Sequence, residues 1–313
     1  MKKAVAPLPP IDGLAPSCVA LIPGPWPTVL AFLEEKFPYL EPGVLATRLQ
    51  NGEIYDDNGQ AIPADSPYQP GNYLWYYRTV RSETRVPFEI DVLYRDDRII
   101  VIDKPHFLSA IPAGRFVKET VLVRLRVLLG QQDIAPVHRL DRETAGVMML
   151  CLDKNSRSAY QQLFESRNVQ KTYEAIAPYR ADLALPLVHR SRLAHEGSKE
   201  DGKFFSMSEV AGEPNSETRI SLLERRGDWA RYQLEPHTGK KHQLRAHLAA
   251  LQIPILNDPW YPVVLDDKGD DFSQPLQLLA RELKFIDPFS GQERVFTSRR
   301  HLQWPADANM TKA

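Results

Sequence analysis

An aspartate flanked by two arginines is the first place in this 313-residue chain where reactive chemistry could be assembled. Asp141 lies in Val137-His138-Arg139-Leu140-Asp141-Arg142-Glu143-Thr144-Ala145-Gly146, preceded by Pro136 and followed by the apolar run Val147-Met148-Met149-Leu150-Cys151-Leu152. Turn formers ahead of a buried strand put the carboxylate on a loop at the strand's mouth, where it can meet a ligand while its neighbours are held rigid. Taken alone, an Asp between Arg139 and Arg142 reads more readily as a salt-bridged loop residue than as a nucleophile.

A second block, Pro236-His237-Thr238-Gly239-Lys240-Lys241-His242-Gln243-Leu244-Arg245-Ala246-His247, opens with a turn and enters a helix. Lys240, Lys241 and Arg245 gather cationic donors near that helix N-terminus, a setting suited to phosphate or carboxylate. Three histidines, His237, His242 and His247, invite a metal reading. A spacing of five turns successive side chains by about 140° on an ideal helix, so His242 and His247 diverge. The His-Glu-x-x-His pattern is missing as well, and no metal is expected. The third block, Lys171-Thr172-Tyr173-Glu174-Ala175, reads as a strand with Tyr173 facing away from Thr172 and Glu174. A tyrosine there is either core or a ring that packs on a base while its hydroxyl reaches a polar partner.

The elements that position these blocks follow from periodicity and turn signals. Residues 1–25, rich in Pro and Gly, read as an extended arm or a loosely packed edge. Trp26-Pro27-Thr28 starts a helix to Lys36, Pro42 to Leu49 reads as a second short helix, and Gly52 to Ile62 reads as a hairpin around Asn58-Gly59. Residues 26–85 thus form a small module, either S4-like, with Arg48 in the Arg-Leu-x-x-Gly-Glu part of that pattern, or a plain helical cap. Alternating Tyr73, Trp75 and Tyr77 read as a strand face, used for packing or for base stacking. Beyond Ile90, β-patterned runs cover Arg98–Asp103, Val147–Leu152, Lys171–Ala177, Thr218–Leu223, Trp229–Leu234 and Leu283–Ile286. Helical spacing covers Glu119–Leu129, Asn155–Arg167 and Lys240–Leu251, with Asn155 or Ser156 as a cap. This is an α+β catalytic domain over residues 86–305 with a mixed, largely antiparallel sheet, followed by a tail, 306–313.

Composition narrows the function classes. A 43% hydrophobic and 25% charged chain is an ordinary folded one. Its two cysteines, Cys18 and Cys151, support neither a disulfide framework nor a thiolate metal site, and Cys151 in its apolar run reads as a buried free thiol. Pro7, Pro9 and Pro10 break any signal-peptide hydrophobic region, and no apolar run is long enough to span a membrane, so the expectation is a cytoplasmic protein. A net charge of -1 leaves any nucleic-acid affinity to a local basic face, for which Arg190, Arg192, Arg219, Arg225, Arg226, Arg231, Lys240, Lys241 and Arg245 are the candidates. The acids concentrate elsewhere, as in Asp266-Asp267 and Asp270-Asp271.

The combination of Asp103-Lys104-Pro105, His138-Arg139-Leu140-Asp141, Lys171-Thr172-Tyr173, His237-Thr238-Gly239-Lys240-x-His242-Gln243-Leu244-Arg245-x-His247, Pro254-Ile255 and Asp258-x-x-Tyr261 resembles the RluA-type family of RNA pseudouridine synthases through most of residues 90–290. The resemblance implies a catalytic domain of pseudouridine synthase type that isomerises specific uridines of ribosomal or transfer RNA, without cofactor. It implies that Asp141 is the essential carboxylate, that Tyr173 stacks on the target uracil, that Arg245 pairs with Asp141, and that Arg139 fills the gap left by a flipped uridine. His138 then supports the catalytic loop, and Lys104, Lys240 and His242 fall, with His138 and Arg139, in the RNA-binding set. The chain departs from the family pattern with Phe107 after Lys-Pro-x, Ala145 for Ser, Asn257 before Asp258, and Leu279 for His, departures that bear on the shape of the RNA-facing loops and so on the target. RNA is the expected partner of a monomer. The competing readings are a non-catalytic RNA-binding or ribosome-assembly protein on the same fold, against which Asp141, Tyr173 and Arg245 argue together, and a metal-dependent phosphodiesterase, for which the carboxylate-rich ligand set is missing.

Overall fold

Seven consecutive residues, Ala145–Cys151, are buried without a break, and around this strand the larger part of the protein is organised. The computed structural model describes residues 6–78, 83–195, 206–265 and 271–306. The acidic residues Asp266, Asp267 and Asp270 and the tail beyond 306 lie outside them. The chain divides into two units, one of residues 1–83 with 126–132, the other of 84–125 with 133–313.

In the first unit, β1 (Ser17–Ala20), α1 (Val29–Lys36), α2 (Val44–Gln50), β2 (Ile54–Tyr55) and β3 (Tyr73–Tyr76) form an antiparallel sheet of order β1-β3-β2 with two helices. Within the segment read as an extended arm or a loosely packed edge, four residues form an edge strand. Ser17–Ala20 zips onto β3 from Ser17 opposite Tyr76 to Ala20 opposite Tyr73, because a four-residue segment between Pro-rich flanks suffices to satisfy the backbone of β3 on that side. Thr28 caps α1 by accepting from the Ala31 N–H, as its position foretold. The Asn58-Gly59 turn is held by the Asp56 carboxylate, which accepts from the N–H groups of Asn58 and Gln60. Arg48 is spent inside the unit, donating to Glu53 and to the Tyr77 carbonyl. Trp75 is buried and donates to Asp57, so at this position the aromatic strand packs rather than offering a stacking face.

In the second unit the strands are β4 (Asp91–Arg95), β5 (Ile99–Lys104), β6 (Ala135–Pro136), β7 (Ala145–Cys151), β8 (Val169–Pro178), β9 (Leu187–Ala194), β10 (Ser208–Val210), β11 (Ser216–Arg226), β12 (Trp229–Pro236), β13 (Leu278–Ile286) and β14 (Glu293–Thr297). The helices are α3 (Val121–Leu129, whose last residues group with the first unit), α4 (Arg157–Glu165) and α5 (Gln243–Ala250). The sheet runs β10-β9-β11-β12-β8-β13-β7-β5-β4, with β14 on β13 and β6 on β7. Among the described strand pairings β7 with β13 is parallel and the others are antiparallel. A central strand covered on both faces needs an apolar run rather than an alternating one, which is why Val147–Cys151 was legible as a strand.

Gly146 makes the entry to that strand possible. Its φ is +112°, and a Cβ there would lie 2.2 Å from the Ala280 carbonyl oxygen of β13, so only glycine lets the two backbones meet immediately behind the Asp141 loop. α4 packs through Tyr160 on alternate residues of β5 and β7, namely Ile99, Val101, Val147, Met149 and Cys151. Neither Asn155 nor Ser156 caps it by its side chain. The Asp153 carboxylate does so, accepting from the Asn155 and Ser156 N–H groups. α5 buries Leu244 and Leu248 against Ala175, Ala177, Ile220, Tyr232 and Leu234 of β8, β11 and β12. Cys151 is a buried free thiol.

Candidate active site

A cavity of about 980 Å³ opens where the loop ahead of β7, the start of β8, the C-terminal part of α4 and the turn into α5 converge. His138, Arg139, Asp141, Tyr173, Lys240, His242 and Arg245, seven of the eight residues singled out in the sequence, line it. Their positions separate by role.

Asp141 sits on the turn closed by the Thr144 N–H donating to its carbonyl, with its side chain 30% exposed. The Arg245 Nη1 approaches its Oδ2 at 3.4 Å and the His242 Nε2 lies 3.9 Å from its Oδ1. Arg245 itself is almost wholly buried, and its fork is taken by Asp258, with Nε to Oδ2 at 2.8 Å and Nη2 to Oδ1 at 2.6 Å. Arg245 is therefore first the partner of Asp258, and that bidentate pair raises its pKa against the opposing effect of burial. Only the remaining Nη1 is left for Asp141, at the long limit of a hydrogen bond. The arrangement lends Asp141 a nearby positive charge while leaving its oxygens open to the cavity, which a nucleophile requires.

His242 is buried with its Nδ1 3.2 Å from the Tyr261 hydroxyl, and burial pushes its pKa down to about 4 against the pull of Asp141. It is neutral near pH 7 and belongs to the wall around Asp141, not to a phosphate-facing surface. Tyr261, whose hydroxyl accepts from the Met207 N–H, is pushed up to about 12 by burial. Tyr173, on β8, has its phenol pushed well above the usual range by burial and then by Asp141. Gln243 ties the turn to the sheet. Its Oε1 accepts from Thr238 and the Lys240 N–H, and its Nε2 donates to the Glu217 carbonyl and Thr218.

Lys104 requires a correction. It is fully buried on β5, and its ammonium donates to the carbonyls of Pro105, Leu108 and Arg142 at 2.9, 2.8 and 3.1 Å, so all three donors are used before RNA could reach it. Burial pushes its pKa down to about 7, opposed by Glu143 and Asp141. It clamps the 105–108 loop to the loop that carries Asp141. Next to it Asp103 accepts from Ser298 and the Arg299 N–H. His138 likewise faces inward: its Nε2 accepts from the Met149 N–H, its ring stacks on Phe164 at 4.6 Å, and burial pushes its pKa down to about 3. These contacts tie the start of the Asp141 loop to β7 and α4. Arg139 and Lys240 are exposed on the cavity rim.

The expected basic face is largely neutralised. Arg190 pairs with Glu217, Arg219 with Glu235, Arg226 with Glu224, and Arg231 with Glu224 and Glu174. These acids were visible in the sequence, but apart from Arg226 with Glu224, both on β11, the pairing is across strands and needs the register to be seen. The three histidines of the second block do not converge. His237 is exposed, His242 faces Asp141, and His247 bonds Thr218 and Ser216. His247 instead lies within a trio with His189 and Glu209 whose ligand-capable atoms are within 4.8 Å of one another, a group already closed by a 2.6 Å His189–Glu209 contact.

With this geometry in place, comparison with known proteins is direct. The sequence profile described as RNA pseudouridylate synthase matches residues 98–250. The chain is 31% identical over 232 residues to a tRNA pseudouridine synthase C of Vibrio parahaemolyticus, covering 70% of this chain and 93% of that one. It is 32% identical over 210 residues to a dual-specificity RNA pseudouridine synthase RluA of the same organism, covering 64% and 79%. The fold matches the solved human RNA pseudouridylate synthase domain containing 1 with a TM-score of 0.55 at 21% identity, over 72% of this chain and 95% of that one. The chain belongs to the RNA pseudouridine synthases of the RluA type. Asp258 and Tyr261 fall in the motif that carries the resemblance, but their contacts with Arg245 and His242 are visible only in the fold. Lys171, two residues before Tyr173 on the same strand, has no assigned part in that motif.

Proposed function

We propose that this RNA pseudouridine synthase isomerises specific uridines of structured ribosomal or transfer RNA with Asp141 as its nucleophile. The observation that carries the reading is the partly exposed Asp141 carboxylate, opening into a 980 Å³ cavity between Arg245 and His242, with Tyr173 lining the same space. The reaction breaks N1–C1′, turns the uracil and joins C5 to C1′, and the C5 proton leaves to solvent. No electrons are gained or lost, so no redox cofactor is called for. The carboxylate can serve by attack at C1′, by removal of the C2′ proton or by addition at C6, and each route needs it unprotonated and uncovered.

A stacked base cannot reach such a cavity, and flipping it costs a few kcal/mol, which stacking on Tyr173 and cationic contacts from Arg139 and Lys240 would offset. An unpaired loop is the least costly target. The protein acts as a cytoplasmic monomer in this reading. Among the described residues no helix is long and apolar enough to cross a membrane.

The test is tritium release from RNA labelled at uridine C5. Asp141→Asn should bind RNA as the unaltered protein does and release no label above background. Substantial turnover by that variant would sink the assignment.

A further inference from the structure

α4, its C-terminal turn and the first residues of β8 form a stretch of the cavity wall that the catalytic reading does not use: Gln161, Phe164, Glu165, Arg167 and Lys171. Lys171 is half-buried, and its ammonium makes no hydrogen bond or ion pair with any described residue. It rests 3.9 Å from where a Cβ on Gly239 would stand, beside the turn into α5. Burial first, and Arg167 second, lower its pKa. An uncompensated cation in such a place is costly, and a protein normally supplies a carboxylate. Here the fold places a second cation instead.

Arg167 reinforces the point by its backbone. It takes φ +60° in the turn that ends α4, where the Asn168 N–H donates to the Leu163 carbonyl. Glycine would adopt that conformation without the steric cost an arginine bears, so the side chain has a use that offsets the strain. The acids near this wall form no ion pair with either cation, although Glu217 feels Arg167 as the weakest of its electrostatic influences. Glu217 is bound by Arg190 at 2.7 Å, and Glu165 is exposed and forms no ion pair with the described residues. Lys171 and Tyr173 are two residues apart on β8, so they share a face about 6.6 Å apart. That separation suits a base lying on the tyrosine and a phosphate of the same strand lying on the lysine.

We propose that Lys171 and Arg167 form a binding subsite for a phosphodiester of the RNA substrate, adjoining the nucleotide that enters beside Tyr173. The proposal rests on reading this cavity as the uridine site. A phosphate offers two non-bridging oxygens, enough to accept from the ammonium and the guanidinium together. The subsite would set which flanking backbone geometry is admitted, while Tyr173 and Asp141 act on the base.

The experiment measures binding of a fluorescein-labelled dodecauridylate across a series of KCl concentrations. It uses the full-length protein, Lys171→Met, Arg167→Gln, the double variant, Lys171→Arg, and Lys284→Gln, whose ammonium pairs with Glu293 on β14. The slope of log affinity against log salt should shrink by about 0.7 for each single variant and about 1.4 for the double. Lys171→Arg should restore it, and Lys284→Gln should leave it unchanged. Lys171→Met should melt no lower than the unaltered protein, which separates a lost contact from a lost fold. Unchanged slopes in the single and double variants, or a full-length protein whose binding is insensitive to salt, would overturn the subsite. So would loss of turnover by Lys171→Met with an unchanged slope, because the lysine would then act on the base. Since the readout is binding, its failure is distinct from turnover by Asp141→Asn, which would remove the uridine-site reading itself.

Discussion

Two cationic regions of the second unit differ in what answers their charge. On β9, β11 and β12, Arg190, Arg219, Arg226 and Arg231 each meet a glutamate within 4.0 Å, and their side chains are 34–61% exposed. Around the cavity, Arg139, Arg167, Lys171 and Lys240 make no such pair with the described residues. The one deeply buried cation there, Arg245, has a full bidentate partner in Asp258 and a partial one in Asp141. Density of arginines along a chain therefore says little about where a polyanion binds. What counts is the cations the fold leaves unanswered, because only those gain by meeting a phosphate.

The largest effect should come from breaking the one pair that is complete and buried. Asp258→Asn leaves Arg245 with half its fork unpaired and its charge uncompensated except for Asp141, and should cost about 3–5 kcal/mol of stability. Urea unfolding measures it. A loss under about 1 kcal/mol would mean that Asp141 can replace Asp258 and that the division of labour between the two carboxylates is wrong.

A second effect follows from imidazoles for which burial outweighs the pull of any nearby carboxylate. Burial pushes His106, His242 and His247 down to about 4 and His138 to about 3. In the unfolded chain each titrates near 6.5, so between about pH 6.5 and 4 the unfolded state binds protons that the folded state refuses. The stability is complete above pH 6.5 and is lost as pH falls toward 4. The urea midpoint should drop steadily from pH 7 to pH 5 in non-chelating buffers, and a flat midpoint over that window would contradict the burial of these rings.

The smallest effect belongs to the paired arginines. Arg219→Gln removes an exposed 3.7 Å pair and should change stability by no more than about 0.5 kcal/mol. Its dodecauridylate salt slope should match that of the unaltered protein. A slope reduced as much as in Lys171→Met would erase the distinction between the two regions.

Local pattern made much of the fold legible. The apolar run of β7, the 3.6-residue spacing of α4 and α5 and the Thr28 cap all act within a few residues of themselves. β1, β4, β6, β9, β10 and β14 were not legible, because short or polar strands such as Leu187–Ala194, with its histidine and arginines, gain their stability from the strands they pair with.

Asp141 marks where sequence stops. Its neighbours fix a turn before a buried strand, and its motif company assigns a family, because both depend on residue identity at fixed spacing. The tertiary structure alone decided that Arg245 binds Asp258 first and spares Asp141 a single nitrogen, that Lys104 is a clamp and not a phosphate contact, and that Lys171 stands unanswered beside Arg167. Those outcomes depend on distances between residues up to 104 positions apart, such as Asp141 and Arg245. Coulomb and hydrogen-bond energies follow distance and burial in space, which no spacing along the chain encodes.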